Sequence, residues 1–335
     1  MAKTISKSWT NLSIESLVRS FKLHHLAIVQ WIVHRASTSR MWVRFLLAGP
    51  LIVVMFAMPA QAKKKTTAPP SEPARAVLVF NATTDTLVHG LNIHDIMPIA
   101  SVTKLMTAFV VLESRADLDE RLPVVPQSVE SSRVLKLGMI ITRRELLHLA
   151  LVSSDNLAAK LLAVHHPHGY NLFVQEMNAT AQRLGMRDTS YIEPTGLRLN
   201  TSTAWDLHLL NRHLSKYTIF KEAAMSATAS AEAQTRRGIW QKLVIRNTNA
   251  FAGKYDIKIA KTGFTNPAGW CIDMQVHHKD QDVDFIVLGS PSKKIRNELV
   301  SKRLNNYMTF MTSRSIVIKI EDIDDASGFI NWEQP

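Results

Sequence analysis

Hydrophobic and polar positions along the chain fall into blocks of different period. Residues 76–80 form an unbroken apolar run, residues 86–89 a second short run, and the polar stretch 81–85 separates them, which predicts two strands joined by a turn. Apolar residues then recur at helical spacing through 101–115, 143–152, 154–165, 170–184 and 203–214. Residues 269–276 and 283–289 alternate or run apolar around a polar turn at 277–282, which predicts a hairpin, and a last amphipathic helix covers about 293–311. There is no internal repeat. Strands at both ends with helices between them predict an α+β domain, an antiparallel sheet carrying a helical insertion.

The first 74 residues read differently. Residues 45–58 are strongly apolar, yet they include Gly49 and Pro50 and are fewer than the roughly 20 residues that span a bilayer. Arg40 and Arg44 precede this run and Ala60-Gln61-Ala62 follows it. A basic segment, an apolar core and an A-x-A site describe a secretory signal peptide over 41–62, cleaved after Ala62; an uncleaved signal anchor is the alternative. Residues 1–40 are too long and mixed for the start of such a signal, so Met41 is the expected start and 1–40 a gene-model extension. Residues 63–74 form a Pro-rich linker, 75–318 the folded domain and 319–335 an acidic tail.

Composition then narrows the possibilities. With 46% hydrophobic and 20% charged residues, the 335-residue chain can bury a sizeable core and is not a disordered protein. Its single cysteine, Cys271, excludes an intrachain disulfide framework and a thiolate metal cluster, and is expected to be buried in a strand. The formal charge of +12 suggests an anionic partner. Half of it belongs to residues 1–62, where seven basic residues face one acidic residue. The remaining +6 removes the main support for nucleic-acid binding.

Three short motifs carry the candidate chemistry. Ser101-Val102-Thr103-Lys104 opens a helical run after Pro98, Ser154-Asp155-Asn156 begins another helix, and Lys261-Thr262-Gly263 stands just before the hairpin. An S-x-x-K alone is weak, expected about once in a chain of this length, and Ser290-Pro291-Ser292-Lys293 matches it equally well. The ordered set S-x-x-K, S-D-N, K-T-G is the known signature of class A β-lactamases and penicillin-binding proteins. The spacing is physically apt. Ser101 and Lys104, three apart, share one helix face. Burial and a second cation, for which Lys261 is the candidate, depress a lysine pKa so that Lys104 can act as a base.

With its surroundings the motif set resembles the low-molecular-mass penicillin-binding proteins, serine DD-peptidases of the D-alanyl-D-alanine carboxypeptidase family. RAVLVFNATTDTLVHG resembles the opening hairpin, MPIASVTKLMTAFVVLES the nucleophile helix, LLHLALVSSDNLAAKLLA the second-motif segment and EPTGLRLNTSTAWDL the loop and helix after it. IRNTNAF and IAKTGFTNPAGWC resemble the third-motif region, so the likeness covers about 75–312. It implies a β-lactamase/DD-peptidase-like fold, with an antiparallel five-stranded sheet flanked by helices plus a helical subdomain. It further implies that Ser101 is the acylated nucleophile, Lys104 its proton acceptor and Ser154 a relay to the leaving amine. Asn156 would hold the substrate backbone, Lys261 and Thr262 the substrate carboxylate, and Gly263 would let the acyl chain lie against the strand. The oxyanion hole would be the backbone N–H groups of Ser101 and Phe264.

The expected partners are peptidoglycan peptide stems, with β-lactam antibiotics as covalent inhibitors. No cofactor, no metal, no nucleic acid and no stable membrane anchor after signal cleavage are expected, and the expected location is the periplasm. Other residues have plainer readings. His165, His166 and His168 lie in a helix-ending loop without fixed ligand geometry, His277 and His278 at a solvated hairpin tip, and Trp270 in packing. The basic residues of 293–303 are expected on a solvated helix face. Glu193 stands in EPTGL, which lacks the E-x-x-L-N pattern of class A β-lactamases, so rapid β-lactam hydrolysis is not expected. The 72 residues after Gly263 leave no room for an added C-terminal domain and favour an endopeptidase of cross-links over a carboxypeptidase on pentapeptides; a β-lactamase and a non-catalytic wall-binding protein are the remaining readings.

Overall fold

A computed structural model describes residues 44–48, 51–55, 72–126 and 132–313. The chain divides into two compact units, 1–70 and 71–335. In the first, Arg44–Ala48 (β1) and Leu51–Met55 (β2) pair as an antiparallel ribbon, within the span read as a signal peptide. The A-x-A site, the extension over 1–40 and the tail over 319–335 lie outside the described residues. Among the described residues no helix is long and apolar enough to cross a membrane.

The second unit is built on a five-stranded antiparallel sheet. Its strands are Ala76–Asn81 (β3), Thr86–Leu91 (β4), Asp256–Thr265 (β11), Gly269–His278 (β12) and Gln281–Ser290 (β13). They lie in the order β11-β12-β13-β3-β4. The run at 76–80 is apolar at every position because both faces of β3 are covered. Ala76, Leu78 and Phe80 join the core beneath the helices, and Val77 and Val79 join a second core with Leu299, Val300 and Leu304. The β12–β13 turn closes through Lys279 and Asp280 at φ 48° and 60°, both left-handed as a two-residue primed hairpin turn requires. Cys271 is fully buried in β12, as expected.

Helices α1 (Lys104–Glu113), α2 (Arg143–Val152), α3 (Asn156–Val164), α4 (Gly169–Arg183), α5 (Ala204–Leu214) and α6 (Thr218–Met225) lie between the two groups of sheet strands in sequence, and α7 (Lys293–Ser313) follows the last strand. The α1 helix is the hub. Every residue from Lys104 to Val111 is buried, and a short 3-10 turn over Ala100–Thr103 precedes it. Just before that turn, Met97–Pro98 (β5) pairs with Thr201–Ser202 (β8), which fixes the approach to α1 against the start of α5. The α5 helix is tied to the sheet by buried polar bonds: His208 Nδ1 lies 2.6 Å from Asp284 Oδ2, and Asn211 Nδ2 donates to Asp273 at 2.7 Å. Burial holds the Asp273 carboxyl well above the usual carboxylate range.

Two elements escape the hydrophobic pattern. Thr228–Gln234 (β9) and Trp240–Arg246 (β10) form a hairpin, and with Ile140–Thr142 (β7) and Arg121–Pro123 (β6) a second sheet in the order β10-β9-β7-β6. Its inward residues on β9 are Ala231 and Ala233, small residues with little strand preference, so the alternation carries little signal. The α7 helix corrects a second expectation. Lys293, Lys294 and Lys302 are exposed, but Arg296 and Arg303 are buried, Arg296 donating to the Cys271 carbonyl at 3.1 Å.

Candidate active site

The three motifs, far apart in sequence, converge at one end of the five-stranded sheet. Ile99 and Ala100 lead into the 3-10 turn that carries Ser101, and Ala100 adopts φ 48°, a left-handed conformation unusual for a residue with a Cβ. This turn delivers Ser101 at a partly exposed position while Lys104, one turn on, is fully buried. The Lys104 Nζ lies 2.9 Å from Ser101 Oγ, 2.8 Å from Asn156 Oδ1 and 2.6 Å from the Thr195 carbonyl. A neutral amine in this cage can donate to the amide and the carbonyl and turn its lone pair toward the Ser101 hydroxyl, the arrangement a general base needs.

The second motif is set by a strained turn and a cap. Ser154 has φ 60°, and Asp155 caps α3 by accepting from the Ala158 amide at 2.9 Å. The other Asp155 oxygen accepts from Ser132 Oγ at 2.5 Å. Burial pushes the Asp155 carboxyl upward. The cap leaves Asn156 as the first helical residue, facing Lys104.

The third motif lies on β11, the edge strand. Lys261 is buried, and its Nζ donates to Ser154 Oγ at 2.9 Å and to the Thr262 carbonyl at 2.8 Å. Burial, then the charges of Lys104 and Arg296, hold the Lys261 ammonium well below the usual lysine range. Thr262 Oγ1 donates to Thr248 Oγ1 at 2.8 Å. Gly263 is there for space: a Cβ at this position would meet Ile99 O and Ser101 N at 2.9 Å each. The strand that carries Phe264 thus runs against the backbone that carries the Ser101 amide. Phe264 itself is half-exposed and stacks on Trp270, ring centroids 4.3 Å apart, so Trp270 packs against the cleft wall.

All eight candidate residues, Ser101, Lys104, Ser154, Asn156, Lys261, Thr262, Gly263 and Phe264, are gathered here. Three further groups, to which the motifs give no clue, complete the cleft. Thr195 supplies the carbonyl at Lys104. Gly196, at φ 81°, lies so close to the 3-10 turn that a Cβ would fall 2.0 Å from Ala100 O. Thr248 joins the end of α2, just before the second motif, to the third motif, its amide donating to the Val152 carbonyl at 3.0 Å and its hydroxyl meeting Thr262. The N-T pair in IRNTNAF was the available signal for it. Glu193 is buried, and its carboxylate accepts from Thr195 N at 2.7 Å, Thr195 Oγ1 at 2.5 Å and Gly196 N at 2.5 Å. It clasps its own loop.

Comparison with known proteins agrees with this geometry. The family model described as D-alanyl-D-alanine carboxypeptidase matches residues 63–292. A D-alanyl-D-alanine endopeptidase of Escherichia coli is 36% identical over 253 residues, 72% of this chain and 81% of that protein. One from Pseudomonas aeruginosa is 40% identical over 225 residues, 65% of this chain and 72% of that protein. Among solved structures, a penicillin-binding protein from Listeria monocytogenes in its ampicillin-bound form superimposes with a TM-score of 0.61 at 28% identity, covering 71% of this chain and 98% of that one. With the five-stranded antiparallel sheet, the buried nucleophile helix and three converging motifs in place, the chain belongs to the D-alanyl-D-alanine carboxypeptidase family of serine DD-peptidases.

Proposed function

We propose that this protein is a D-alanyl-D-alanine endopeptidase that opens peptidoglycan cross-links through an acyl-enzyme on Ser101. The observation that carries the chemistry is the Lys104 Nζ held 2.9 Å from Ser101 Oγ between two oxygen acceptors. The choice of endopeptidase rests on relatives of that name at 36% and 40% identity.

In the reaction Lys104 takes the Ser101 proton as Oγ attacks the D-alanyl carbonyl. The Ser101 and Phe264 amides receive the oxyanion, each donor contributing about 3 kcal/mol. Ser154, bonded to Lys261, relays the proton taken up by Lys104 to the departing amine of the cross-bridge, which leaves Lys104 neutral again. Water then attacks the D-alanyl ester, Lys104 again accepting a proton, and Ser101 is regenerated. Asn156 and β11 hold the peptide, and the anionic end of the substrate meets Lys261 and Thr262. A carboxylate arriving there would restore the charged state of Lys261 that burial disfavours. β-Lactams enter the same path and persist as esters, because Glu193 is committed to its loop and takes no part in activating a deacylating water. Peptide stems of an exported wall are the substrate, which fits a signal peptide over 41–62 and a periplasmic location.

Purified cross-linked muropeptide dimers test this reading. Wild-type protein converts dimers to monomers, and Ser101→Ala does not. Release of D-alanine from pentapeptide monomers with dimers left intact would instead make it a carboxypeptidase. N-terminal sequencing of exported protein should begin at Lys63; a start within residues 1–40 would overturn the signal-peptide reading.

A further inference from the structure

The loop between α3 and α4, read from sequence as a plain helix end, gathers a second set of chemistry-bearing side chains. His166, His168 and Glu176 place one ligand atom each within 4.8 Å of one another. Glu176 lies on α4, so sequence spacing alone does not reveal the grouping. His166 is buried, 4% exposed, and its Nε2 has no hydrogen-bond partner. That nitrogen faces Glu176 Oε2 at 3.5 Å, too far for a good hydrogen bond. Tetrahedral zinc with bonds of about 2.0–2.1 Å sets its ligand atoms about 3.3 Å apart, so the separation matches one edge of such a site. On the other carboxylate oxygen, His168 Nδ1 lies 2.5 Å from Glu176 Oε1.

The surroundings favour a metal. The His166 ring is wedged against Phe173 at 5.0 Å between centroids, which fixes its direction. The Arg143 guanidinium, the cation facing this ring, is itself paired with Glu120 and bonded to the His165 carbonyl at 3.0 Å. The His168 amide lies 3.5 Å from His166 Nδ1, a contact at the outer limit that zinc on Nε2 would exchange for a proton on Nδ1. His168 is largely exposed, which leaves a side open for a water as fourth ligand.

We propose that His166, His168 and Glu176 form a zinc-binding site with two histidine ligands, one carboxylate ligand and one open position. The site would fasten the end of α3 to α4. The α3 helix starts at Asn156 in the cleft, so the metal would sit about 15 Å along the same helix and stiffen the element that presents the second motif.

The test is equilibrium dialysis of tag-free protein, stripped with chelator, against micromolar zinc chloride. Wild type should retain about one zinc per chain, and His166→Gln and Glu176→Gln should each lose affinity by more than the about 10- to 100-fold that removing an outer-shell partner costs. Zinc should raise the melting temperature of wild type and leave that of Glu176→Gln unmoved. Cobalt(II) should give a visible absorption band in wild type that the variants lack. Penicillin labelling of Ser101 in each variant reports that it is folded. No zinc retained by wild type, or equal retention by wild type and both folded variants, would overturn the site.

Discussion

The cleft holds two buried lysines, and they are held differently. Lys104 sits among three oxygens contributed by three elements, the nucleophile turn, α3 and the loop after α4. Lys261 has two acceptors, Ser154 Oγ and its neighbour's carbonyl, and no carboxylate among the described residues pairs with it. Its charge is strongly penalised by burial and by Lys104 itself. The difference separates two tasks. The first environment is complete and suited to moving a proton between fixed partners. The second is incomplete in the free protein and suited to an incoming anion, which supplies the missing counter-charge.

The comparison breaks most sharply at the first lysine. Ser101→Ala should abolish labelling by a fluorescent penicillin altogether. Lys104→Met, which keeps the volume and removes the base, should slow acylation by about 10²–10⁴-fold in stopped-flow measurements. A Lys104→Met variant acylated at the wild-type rate would move the base elsewhere. The loop that completes the Lys104 cage is next. Gly196→Ala forces a Cβ onto the Ala100 carbonyl at positive φ, and should destabilise the fold by about 3 kcal/mol or more in urea unfolding. Removing one bond on the Lys261 side costs less. Thr248→Val should reduce acylation about fivefold and lower unfolding stability by about 1 kcal/mol, the contribution of one hydrogen bond.

The smallest effect is a pH dependence. Because the Lys261 pKa is depressed, the fraction of free protein with a charged Lys261 falls as pH rises through that lowered value, well before the ordinary lysine range. Second-order acylation by benzylpenicillin, which carries a carboxylate, should therefore decline on the alkaline side below about pH 10. The methyl ester should show a weaker decline. Lys261→Arg, whose guanidinium keeps its proton, should push the decline to higher pH. Identical profiles for the two ligands would remove the distinction between the lysines.

Much of the fold was legible because its signals are local. The helices at 143–152 and 204–214 fall where the 3.6-residue period places them, to within a residue, and the structure adds their caps, Thr142 accepting from Glu145 N and Thr203 from Asp206 N. The β9–β10 hairpin was not legible, since Ala231 and Ala233 form a buried face only once the strands pair, which sets Leu243 opposite Ala231 and puts Ile245 on the same face. Arg296 and Arg303 read as solvated for a related reason: a helical charge pattern does not say which side meets the sheet. At the site the motif residues were readable from their types and order. Thr195 and Gly196 were not, because a carbonyl and a close backbone approach have no distinctive residue spacing, and for Thr248 the N-T pair of IRNTNAF was the one signal. Glu176 joins the histidines only because α4 turns back beside the loop.

The sequence by itself therefore determined the reactive set: a serine and a lysine on one helix face, a serine before a capped helix, and a lysine with a glycine on a strand. These are local facts of bond geometry and residue chemistry. Only the tertiary structure decided which oxygens surround each lysine and that Glu193 serves its own loop. It also decided that β11 passes within reach of the Ser101 amide. Burial and charge-to-charge distance set those properties, and both arise when segments distant in sequence pack together.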